Sequence, residues 1–285
     1  MSSVGLTAGT PVADALDGAM TAIGAAGCDT PRLDAEVLLA HVLGVGRERL
    51  WIDTDLQVAG PAVRAFQDAV RRRAVKREPV AYIVGRRGFR HLELAVDPRA
   101  LIPRPETELL VEVGLGLPAG ARVLDLGTGS GAVALALKQE RPDLHLSGSD
   151  ASEAALSLAR ENAAMLGLEV GWLRADLLAG IPDEFDALLA NLPYVAESER
   201  VQLAPEIARH EPAEALFAGP DGLDAFRALA PQLAQRSNVR LLALEVGAGQ
   251  VPAVLELLGG AGYGSLVARR DLAGIERVVV GERRR

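Results

Sequence analysis

Apolar residues recur at helical spacing through the N-terminal part of the chain. Thr10-Pro11 is typical of an N-cap followed by proline at the first helical position, and Thr30-Pro31 repeats this signal before a helix that stops at Gly44. A third helix is predicted from Pro61 to about Arg77. The pattern therefore predicts a small all-helical domain, without strands, over residues 1–78.

The helical spacing gives way to alternating apolar residues after Pro79. Phe89, Leu92 and Leu94 alternate with polar residues, and Asp97-Pro98 is a turn signal. We predict a short β-hairpin that acts as a connector over residues 79–105.

From residue 106 onward, short apolar runs alternate with helical patterns, which is typical of an α/β fold with a mostly parallel, doubly wound sheet. The last two predicted strands are joined by Asp271–Gly274 and are expected to pair antiparallel. We therefore predict a seven-stranded, Rossmann-like domain over residues 106–285, which is not the plain dinucleotide-binding topology. Its strands are predicted at Arg122–Leu126, Leu144–Ser149, Val170–Arg174, Asp186–Ala190, Arg240–Val246, Ser265–Arg269 and Glu276–Val280.

The charged residues are unevenly distributed. The chain has a formal net charge of −8, but the stretch from Arg64 to Arg90 contains nine basic and two acidic residues and so carries +7. The remainder carries −15, which argues against broad, non-specific binding of nucleic acid. The basic stretch is either a localised docking patch or a solvated helix face. Within it, the Arg71–Arg73 cluster is expected to face either a protein partner or the acidic residues of the predicted hairpin.

Cys28 is the only cysteine, which excludes an internal disulfide and a thiolate metal cluster, and the four histidines have no metal-ligand spacing. No apolar run reaches the ~18 residues of a membrane span. Residues 1–10 have neither a basic n-region nor an apolar h-region. These features predict a cytoplasmic protein without a metal site.

A glycine-rich turn follows the first predicted strand of the sheet. It runs as Asp-Leu-Gly-Thr-Gly-Ser-Gly from Asp125 to Gly131, and a helical pattern starts at Ala132. Glycines allow a sharp turn and close approach of a ligand, and a helix N-terminus offers free N–H groups to an anion. Asp150 ends the next strand, where a carboxylate can accept the hydroxyls of a ribose. This pattern indicates a cofactor site, but it does not identify the cofactor, because nicotinamide-dependent enzymes have the same glycine pattern.

A second motif, Asn191-Leu192-Pro193-Tyr194, directly follows the fourth predicted strand. In a doubly wound sheet this position lies beside the glycine-rich turn, across the switch-point crevice. The Asn191 side-chain oxygen and a backbone carbonyl can grip the two N–H groups of a planar amide or amine, and Tyr194 can cover its flat face. Because positioning alone can supply ~7–11 kcal/mol of a barrier, no general base is required.

These motifs resemble the HemK/PrmC family, the peptide chain release factor glutamine N5-methyltransferases. The resemblance covers about Pro79 to Val280, whereas residues 1–78 match only in being small and helical. The Ile-Pro-Arg-Pro-Glu-Thr-Glu sequence within the block Leu101–Glu108 is the most specific part of this resemblance. Further matching segments follow in the family's order, at Tyr82–Gly85 with Phe89, Leu101–Glu108, Glu211–Leu223, Glu245–Gly247 with Gln250, and Asp271–Gly274.

The resemblance implies S-adenosylmethionine as the cofactor and, as methyl acceptor, the Gln of the Gly-Gly-Gln loop of a class I release factor, docked by the helical domain and connector. It implies that Asn191 and the Leu192 carbonyl hold the amide, with Pro193 and Tyr194 shaping the slot. The family usually has Pro at the position of Leu192; only the backbone carbonyl there has a role, but Asn191 loses a conformational restraint. The cofactor is expected to contact Asp125, Gly127, Thr128, Gly129, Gly131, Asp150, Asp176, Leu177 and Asn191.

The acceptor protein is further expected to contact Phe89, Pro103 and Arg104. Arg104 lies between two prolines, so the alternative is that it belongs to a rigid connector and does not line the site. Glu211–Leu223 is either a lid or a packed loop. The protein is expected to be a monomer with no stable nucleic acid or membrane partner.

Three other functions fit part of the sequence. A nucleic-acid methyltransferase could use the same tetrapeptide on a base amine, but a flipped base needs a wide basic channel, which the acidic C-terminal half does not show. A nicotinamide oxidoreductase leaves Asn191–Tyr194 and the 101–108 block unexplained. A non-catalytic binding module would not need intact acceptor and cofactor motifs.

Overall fold

The computed structural model describes residues 9–283, which form two compact units. Residues 1–8, which hold most of the segment tested for a secretory signal, lie outside the described part. The first unit extends to Gly85 and also includes Ala204–His210, and the second consists of Arg86–Leu203 with the chain from Glu211 onward. No helix within residues 9–283 is long and apolar enough to cross a membrane.

The first unit is built mainly from helices that bury a shared apolar core, with Leu16, Ile23, Leu38 and Phe66 at its centre. The pairs α1 with α2 and α2 with α4 pack against each other. Its elements are β1 (Thr10–Pro11), α1 (Val12–Ala25), α2 (Pro31–Leu43), α3 (Arg49–Ile52), β2 (Gln57–Val58), α4 (Pro61–Lys76) and α5 (Val80–Val84).

The start of the first helix differs from the sequence expectation. Thr10 and Pro11 form strand β1, which pairs antiparallel with Gln57–Val58, and the helix begins at Val12 with no side-chain cap. The prediction of a domain without strands and of Thr10 as N-cap is therefore wrong. The physical reason is that the Pro11 ring disfavours helical backbone angles at the preceding residue, so Thr10 is extended and pairs with Val58.

The second helix follows its prediction closely. Pro31 occupies its first turn and Gly44 ends it in the left-handed conformation, at φ 65°. Thr30 is the N-cap residue, but its hydroxyl donates to the Asp34 carboxylate at 2.8 Å instead of accepting a backbone N–H.

Three arginines of α4 and the Arg77 that caps it form ion pairs within the first unit. Arg73 is buried and donates to Asp34 at 2.6 Å and to Glu206 at 2.6 Å. Arg77 donates to Glu206 at 2.8 Å, and Arg72 pairs with Glu78 at 2.5 Å. Arg72, Arg73 and Arg77 thus pair within the unit, whereas Arg71 lies on an exposed helix face, and the interpretation of the stretch as a docking patch stays a prediction. Arg71 pairs with Asp68 at 2.7 Å.

Glu206 belongs to a short helix that the sequence assigned to the sheet domain. This segment belongs to the first unit, although along the chain it follows the acceptor motif, Asn191–Tyr194. Its carboxylate meets Arg73 and Arg77, and its terminal His210 ring contacts the Lys76 carbonyl at 2.9 Å. These contacts join residues more than a hundred positions apart, so local patterns could not reveal them.

The second unit begins with a hairpin, β3 (Arg86–Phe89) and β4 (Leu92–Ala95). Its apolar residues Phe89, Leu92 and Leu94 pack into the core of this unit. Asn162 fixes the end of β4, since its Oδ1 accepts from the Ala95 N–H at 2.7 Å and its Nδ2 donates to the Ala95 carbonyl at 3.1 Å.

The remaining helices and strands are α6 (Glu108–Leu115), β5 (Arg122–Leu126), α7 (Ala132–Glu140), β6 (His145–Asp150), α8 (Glu153–Leu166), β7 (Gly171–Arg174), β8 (Ala187–Ala190), α9 (Pro205–His210, in the first unit), α10 (Asp224–Ala234), β9 (Leu241–Glu245), α11 (Val251–Gly260), β10 (Tyr263–Arg270) and β11 (Glu276–Arg283). Helices and strands alternate from α6 to β7, as the sequence predicted, whereas β8 follows β7 with no helix between them.

Seven of these strands form one sheet in the order β10-β11-β9-β8-β5-β6-β7. The strands from β5 to β9 pair in parallel, whereas β11 pairs antiparallel with both β9 and β10. The predicted seven-stranded, doubly wound fold with a terminal antiparallel pair is confirmed. Strand order reverses between β5 and β8, so the crevice of the fold opens at their carboxyl ends.

Both faces of the sheet are buried. Leu124 and Leu188 belong to a core with α10 and α11, while Val123 and Leu189 belong to a core with α6 and α7. Adjacent residues of a strand point to opposite faces, so β8 is apolar at all four positions and β5 is apolar except at Arg122 and Asp125. The two cores fix the strand ends from which the site loops leave.

Candidate active site

A cavity of about 370 Å³ opens where β5 and β8 end, within the second unit. Leu126 and Ala190, the last residues of these two strands, are paired in register. The loops that follow them are therefore neighbours across the cavity. Its lining includes Leu101–Arg104, Thr107, Asp125–Ser130, Asp150–Ser152, Ala175–Leu177, Asn191–Pro193, Pro212 and Glu214.

The glycine-rich turn is fastened to the neighbouring strand by its backbone. The N–H groups of Gly127 and Thr128 donate to the Ser149 carbonyl at 2.8 and 2.9 Å. Gly127 has φ 72° and Gly129 φ 56°, a region that residues with a Cβ rarely adopt. A Cβ on Gly127 would also lie 3.2 Å from the Leu192 side chain, so glycine keeps this end of the cavity open.

Asp125 supports the turn from beneath. It is 2% exposed, and its Oδ2 accepts from the Thr128 hydroxyl at 2.6 Å and from the Ala134 N–H at 3.1 Å. Burial raises the pKa of this carboxyl to about 6, although these two hydrogen bonds act in the opposite direction. The two bonds tie the turn to the first turn of α7.

Asp150 lies on the other side of the turn, at the end of β6. Its Oδ2 accepts from the Gly129 N–H at 3.0 Å and its Oδ1 from the Ser152 N–H at 2.9 Å. Burial raises the pKa of Asp150, while those backbone donors lower it. Each carboxylate oxygen can accept a second hydrogen bond, so Asp150 can still bind hydroxyls in the cavity.

Asp176 and Leu177 line the far end of the cavity after β7. Asp176 is exposed, and Leu177 has φ 49°, a left-handed backbone angle that is unusual for a residue with a large side chain. Such strained residues cluster at ligand sites, where surrounding structure holds them.

Gly131, assigned to the cofactor from the sequence, is not among the residues that line the cavity. It is the N-cap of α7 at φ 84°, and a Cβ there would lie 3.0 Å from Leu135 and 3.1 Å from Trp172. Glycine is therefore needed here for packing of the helix on the sheet, and its assignment to the cofactor stays a prediction.

The residues of the acceptor motif form a loop directly after β8, the acceptor loop. Its residues Asn191, Leu192 and Pro193 line the cavity. The Asn191 Nδ2 donates to the Thr107 hydroxyl at 3.1 Å, across 84 residues of sequence. The Leu192 side chain is 5% exposed and packs into the core that contains Leu126. This packing holds the loop at Leu192, which lacks the backbone restriction of a proline.

Tyr194 has a different environment from the one expected. It is not among the cavity-lining residues, and its hydroxyl donates to the buried Glu245 carboxyl at 3.3 Å. Burial and the neighbouring Glu245 both raise the pKa of the Tyr194 phenol. The ring therefore packs behind the loop in this structure rather than covering a group in the cavity.

The backbone of Tyr194 is held by Gln250. The Gln250 Nε2 donates to the Tyr194 carbonyl at 2.9 Å, and its Oε1 accepts from the Gly247 N–H at 2.9 Å. The acceptor loop thus has a backbone anchor that is separate from its side-chain contacts.

Of the three residues assigned to the acceptor protein, Pro103 and Arg104 line the cavity and Phe89 does not. Phe89 is 2% exposed in the apolar core, so the assignment of Phe89 to direct contact is wrong. Arg104 forms an ion pair with the buried Glu211 at 2.5 Å, and the second Glu211 oxygen accepts from the Ile102 N–H at 3.1 Å. Glu211 thereby shapes the cavity wall that carries Arg104.

Glu211–Leu223 is packed against the acceptor loop in this structure. It runs beside the acceptor loop, where the Val195 N–H donates to the Leu216 carbonyl at 2.9 Å and the Ala218 N–H to the Val195 carbonyl at 3.0 Å. Leu216 and Ala218 are buried. The segment therefore supports the acceptor loop from behind.

Sequence reasoning assigned no role to Thr107, Glu211, Glu245 or Gln250, although all four occur in the family-like segments. Each acts through a partner that lies far away in sequence, and no local spacing marks such a pair. The signal that could have found them is chemical: a carboxylate within an apolar strand such as β9 must have a buried partner.

Comparison with known proteins was made for both parts of the chain. The PrmC N-terminal domain family matches residues 14–85, and the methyltransferase small domain family matches residues 105–219. A solved methyltransferase from Pyrococcus furiosus shares the fold, with a TM-score of 0.51 and 16% identity over 67% of this chain and 88% of its own.

Close relatives extend over nearly the whole length. The release factor glutamine methyltransferase of Cereibacter sphaeroides is 42% identical over 271 residues, which cover 94% of this chain and 96% of the relative. That of Rhodospirillum rubrum is 40% identical over 264 residues, covering 91% and 81%. With this identity and coverage, the chain belongs to the release factor glutamine methyltransferase family.

Proposed function

We propose that this protein transfers a methyl group from S-adenosylmethionine to the side-chain amide nitrogen of the Gln in the Gly-Gly-Gln loop of class I release factors. The observation that carries this proposal is the single cavity into which both the glycine-rich turn and Asn191–Pro193 open. Family membership supports the same reaction. The acceptor is a cytoplasmic protein, so we assign the reaction to the cytoplasm.

The residues present fit S-adenosylmethionine. The cavity is of the size that a ligand of this class requires, and Gly127 leaves open a space that a Cβ would fill. When bound, the cofactor supplies an electrophilic methyl group on a positively charged sulfur. Asp150 is the residue we assign to the ribose hydroxyls, and Asp176 with Leu177 to the adenine end.

The chain's own contribution to the reaction is positioning. An amide nitrogen is a poor nucleophile, since its lone pair is delocalised into the carbonyl. The Asn191 Oδ1 and the Leu192 carbonyl each accept one N–H of the Gln amide and so aim its nitrogen into the cavity. Orientation of this kind is worth several orders of magnitude in rate without a base.

We also propose that residues 1–78 dock the release factor, with Pro103 and Arg104 contacting it at the cavity. Support comes from the match of this region to the PrmC N-terminal domain family and from the position of Arg104 on the cavity wall. Arg104 is held by Glu211, so its side chain is already ordered for a contact.

The test is methyl transfer from labelled S-adenosylmethionine to a purified class I release factor, with the methylated peptide identified by mass spectrometry. We expect label on the loop Gln, none on a factor whose loop Gln is replaced by Ala, and a loss of at least about 100-fold in kcat/KM for Asn191→Ala. Asn238→Ala, an exposed change on a different loop, is the control and should keep full activity.

Two results would contradict the proposal. Label on bulk RNA or DNA but not on the factor would indicate the base-amine alternative. Stabilisation of the protein by a nicotinamide dinucleotide and not by S-adenosylhomocysteine would indicate an oxidoreductase, because a ligand stabilises only the folded state that binds it.

A further inference from the structure

Glu245 is a buried acid with no ion-pair partner among the described residues. It ends strand β9, is 1% exposed and receives one hydrogen bond, from the Tyr194 hydroxyl to Oε1. Its Oε2 is buried and accepts no hydrogen bond of ordinary geometry from residues 9–283. Burying a carboxyl in this way is unfavourable, so its presence beside the acceptor loop calls for an explanation.

Thr107 lies between Glu245 and the acceptor loop. Its hydroxyl oxygen accepts from the Asn191 Nδ2 at 3.1 Å. The same hydroxyl lowers the pKa of the Glu245 carboxyl, although Glu245 Oε2 has no hydrogen bond of ordinary geometry among residues 9–283. A hydroxyl has a single proton. Because its oxygen already accepts from Asn191, that proton is available to Glu245.

The direction of these contacts matters for the acceptor. An Asn side chain presents an oxygen on one side and an NH₂ group on the other. With its Nδ2 bound to Thr107, Asn191 keeps Oδ1 for the N–H of a substrate amide. In the opposite arrangement the Thr107 hydroxyl would donate to Oδ1, and the Asn191 NH₂ would face a substrate NH₂, where neither group can accept.

We propose that Thr107 and Glu245 are positioning residues of the acceptor site: Glu245 accepts the proton of the Thr107 hydroxyl, and the hydroxyl oxygen then holds Asn191 with Oδ1 toward the acceptor amide. This inference rests on the proposed function, because it assumes an acceptor with N–H groups. It adds two residues to the site, neither of which touches the reacting atoms.

The loop does not depend on this network for its location. The Tyr194 carbonyl is held by Gln250, and the Leu192 side chain is buried in the core. Loss of the Thr107 or Glu245 contact should therefore release the orientation of the Asn191 side chain while the loop backbone stays in place. The expected kinetic sign is a lower kcat with little change in KM.

The protonation state of Glu245 sets how strongly it imposes this direction. Burial raises its pKa to about 7; Thr107 and Tyr194 act to lower it, Glu106 raises it, and Arg277 lowers it. A carboxylate can only accept, whereas the protonated acid can donate to Thr107 and permit the reversed arrangement. The wild-type kcat should thus rise as the pH increases through about 7.

Two further charged groups act on this network through its members. Arg277 is paired with Asp271 at 3.0 Å, and Arg104 faces Tyr194 and lowers the pKa of its phenol against the larger effect of burial. Guanidinium groups are not deprotonated in proteins. We assign the rise in kcat to Glu245 rather than to Asp125, because the hydrogen bonds of Asp125 go to Thr128 and Ala134 and not to Asn191 or Thr107.

The kinetic test compares Glu245→Gln, Thr107→Val and Thr107→Ser in the full-length protein, with S-adenosylmethionine and a class I release factor. We expect kcat to fall by about 10- to 100-fold in the first two variants, with KM for the factor within about twofold. Thr107→Ser keeps the hydroxyl and should restore kcat to within about threefold. The rise of kcat through pH 7 should be absent from Glu245→Gln.

A second readout needs no acceptor protein. In an NMR titration of the wild type, the Asn191 side-chain NH₂ resonance should shift with a midpoint near pH 7, and Thr107→Val should abolish that shift. An unchanged kcat in Glu245→Gln and Thr107→Val, or an Asn191 resonance that does not follow pH, would overturn the inference. A wild type that shows the shift but methylates no release factor would instead contradict the proposed function and leave the hydrogen-bond direction standing.

Discussion

At the residue scale, Asp125 and Glu245, two of the buried carboxyls near the cavity, are held in different ways. Asp125 accepts two hydrogen bonds from its own loop and helix, whereas Glu245 accepts one from a tyrosine. Burial raises the pKa of both, to about 6 and about 7. A raised pKa means that the fold favours the neutral acid, which links stability to pH.

The first prediction concerns Glu245→Gln. The folded-state pKa of about 7 lies above the ordinary value of 4.5, so the acid contributes most to stability below pH 4.5 and loses this contribution as the pH rises through 7. A neutral amide has no such loss. The variant should therefore gain about 3 kcal/mol relative to the wild type between pH 4.5 and pH 8.

Urea unfolding of both proteins across this range measures the difference. Glu256→Gln removes the same charge from an exposed position on α11 and serves as the control. A difference between Glu245→Gln and wild type that does not change with pH would contradict the raised pKa. Together with a reduced kcat, a stable variant at pH 8 would separate positioning from simple damage to the fold.

At the scale of elements, the segment after Glu211 supports the acceptor loop by close backbone packing. Gly222 has φ 76°, and a Cβ there would overlap the Tyr194 carbonyl. Gly249 has a similar φ of 82° but no atom within 4 Å of its Cβ position. The two glycines thus share a left-handed backbone conformation, but only Gly222 is packed against other atoms.

The second prediction follows from this pair. Gly249→Ala should lower the free energy of unfolding by about 1 kcal/mol, the expected cost of a left-handed non-glycine residue. Gly222→Ala should lower it by about 3 kcal/mol, because overpacking against the backbone adds to that strain, and should also reduce kcat. Urea unfolding and methyl-transfer assays measure both. Equal effects of the two changes would show that the packing at Gly222 is unimportant.

A second element-scale feature is the attachment of α9 to the helical unit. Glu206 is shared by Arg73 and Arg77, whose side chains are 7% and 15% exposed. Removing one member of a buried ion cluster leaves the others without compensation, which is strongly destabilising.

The third prediction is that Glu206→Ala lowers the free energy of unfolding by about 3 kcal/mol and speeds amide hydrogen exchange in residues 204–210. Asp68→Ala breaks an exposed pair on the same unit and should change stability by less than about 1 kcal/mol. Exchange measured by mass spectrometry locates the effect. Unchanged protection of residues 204–210 in Glu206→Ala would rule out the ion cluster as their anchor.

At the scale of the whole molecule, the positive stretch recognised in the sequence is largely neutralised by internal pairs. Arg72, Arg73 and Arg77 pair within the helical unit, and Arg90 pairs with Glu112 and Glu140 in the sheet unit. Net charge is −8. Few cations remain to meet phosphates, and phosphate contacts supply most of non-specific nucleic-acid affinity.

The fourth prediction is therefore weak binding of nucleic acid. Fluorescence anisotropy with a labelled 20-nucleotide RNA at 150 mM salt should give no binding tighter than about 10 µM, within the range of non-specific affinity. A tighter complex with steep salt dependence would contradict this prediction and favour the base-amine alternative. A release factor labelled in the same way provides the positive control.

Much of the fold could be predicted from the sequence because the signals are local. The strand Arg122–Leu126 has its predicted bounds, and the others differ by a few residues at their ends. Alternation of strands with helices then fixes a parallel sheet, and its switch point brings Gly127 and Asn191 together. The glycine-rich turn and the acceptor motif were recognisable because glycine, asparagine and proline have specific backbone uses.

What the sequence determined by itself was therefore the order of elements, the sheet and the two loops that open into the cavity. The tertiary structure alone decided that Tyr194 turns toward Glu245, that Phe89 is buried, and that the Asn191 side chain forms a hydrogen bond with Thr107. The physical reason is that these contacts join side chains far apart along the chain. Periodicity reports which face of an element is buried, but a hydrogen bond between two elements depends on distances that only packing sets.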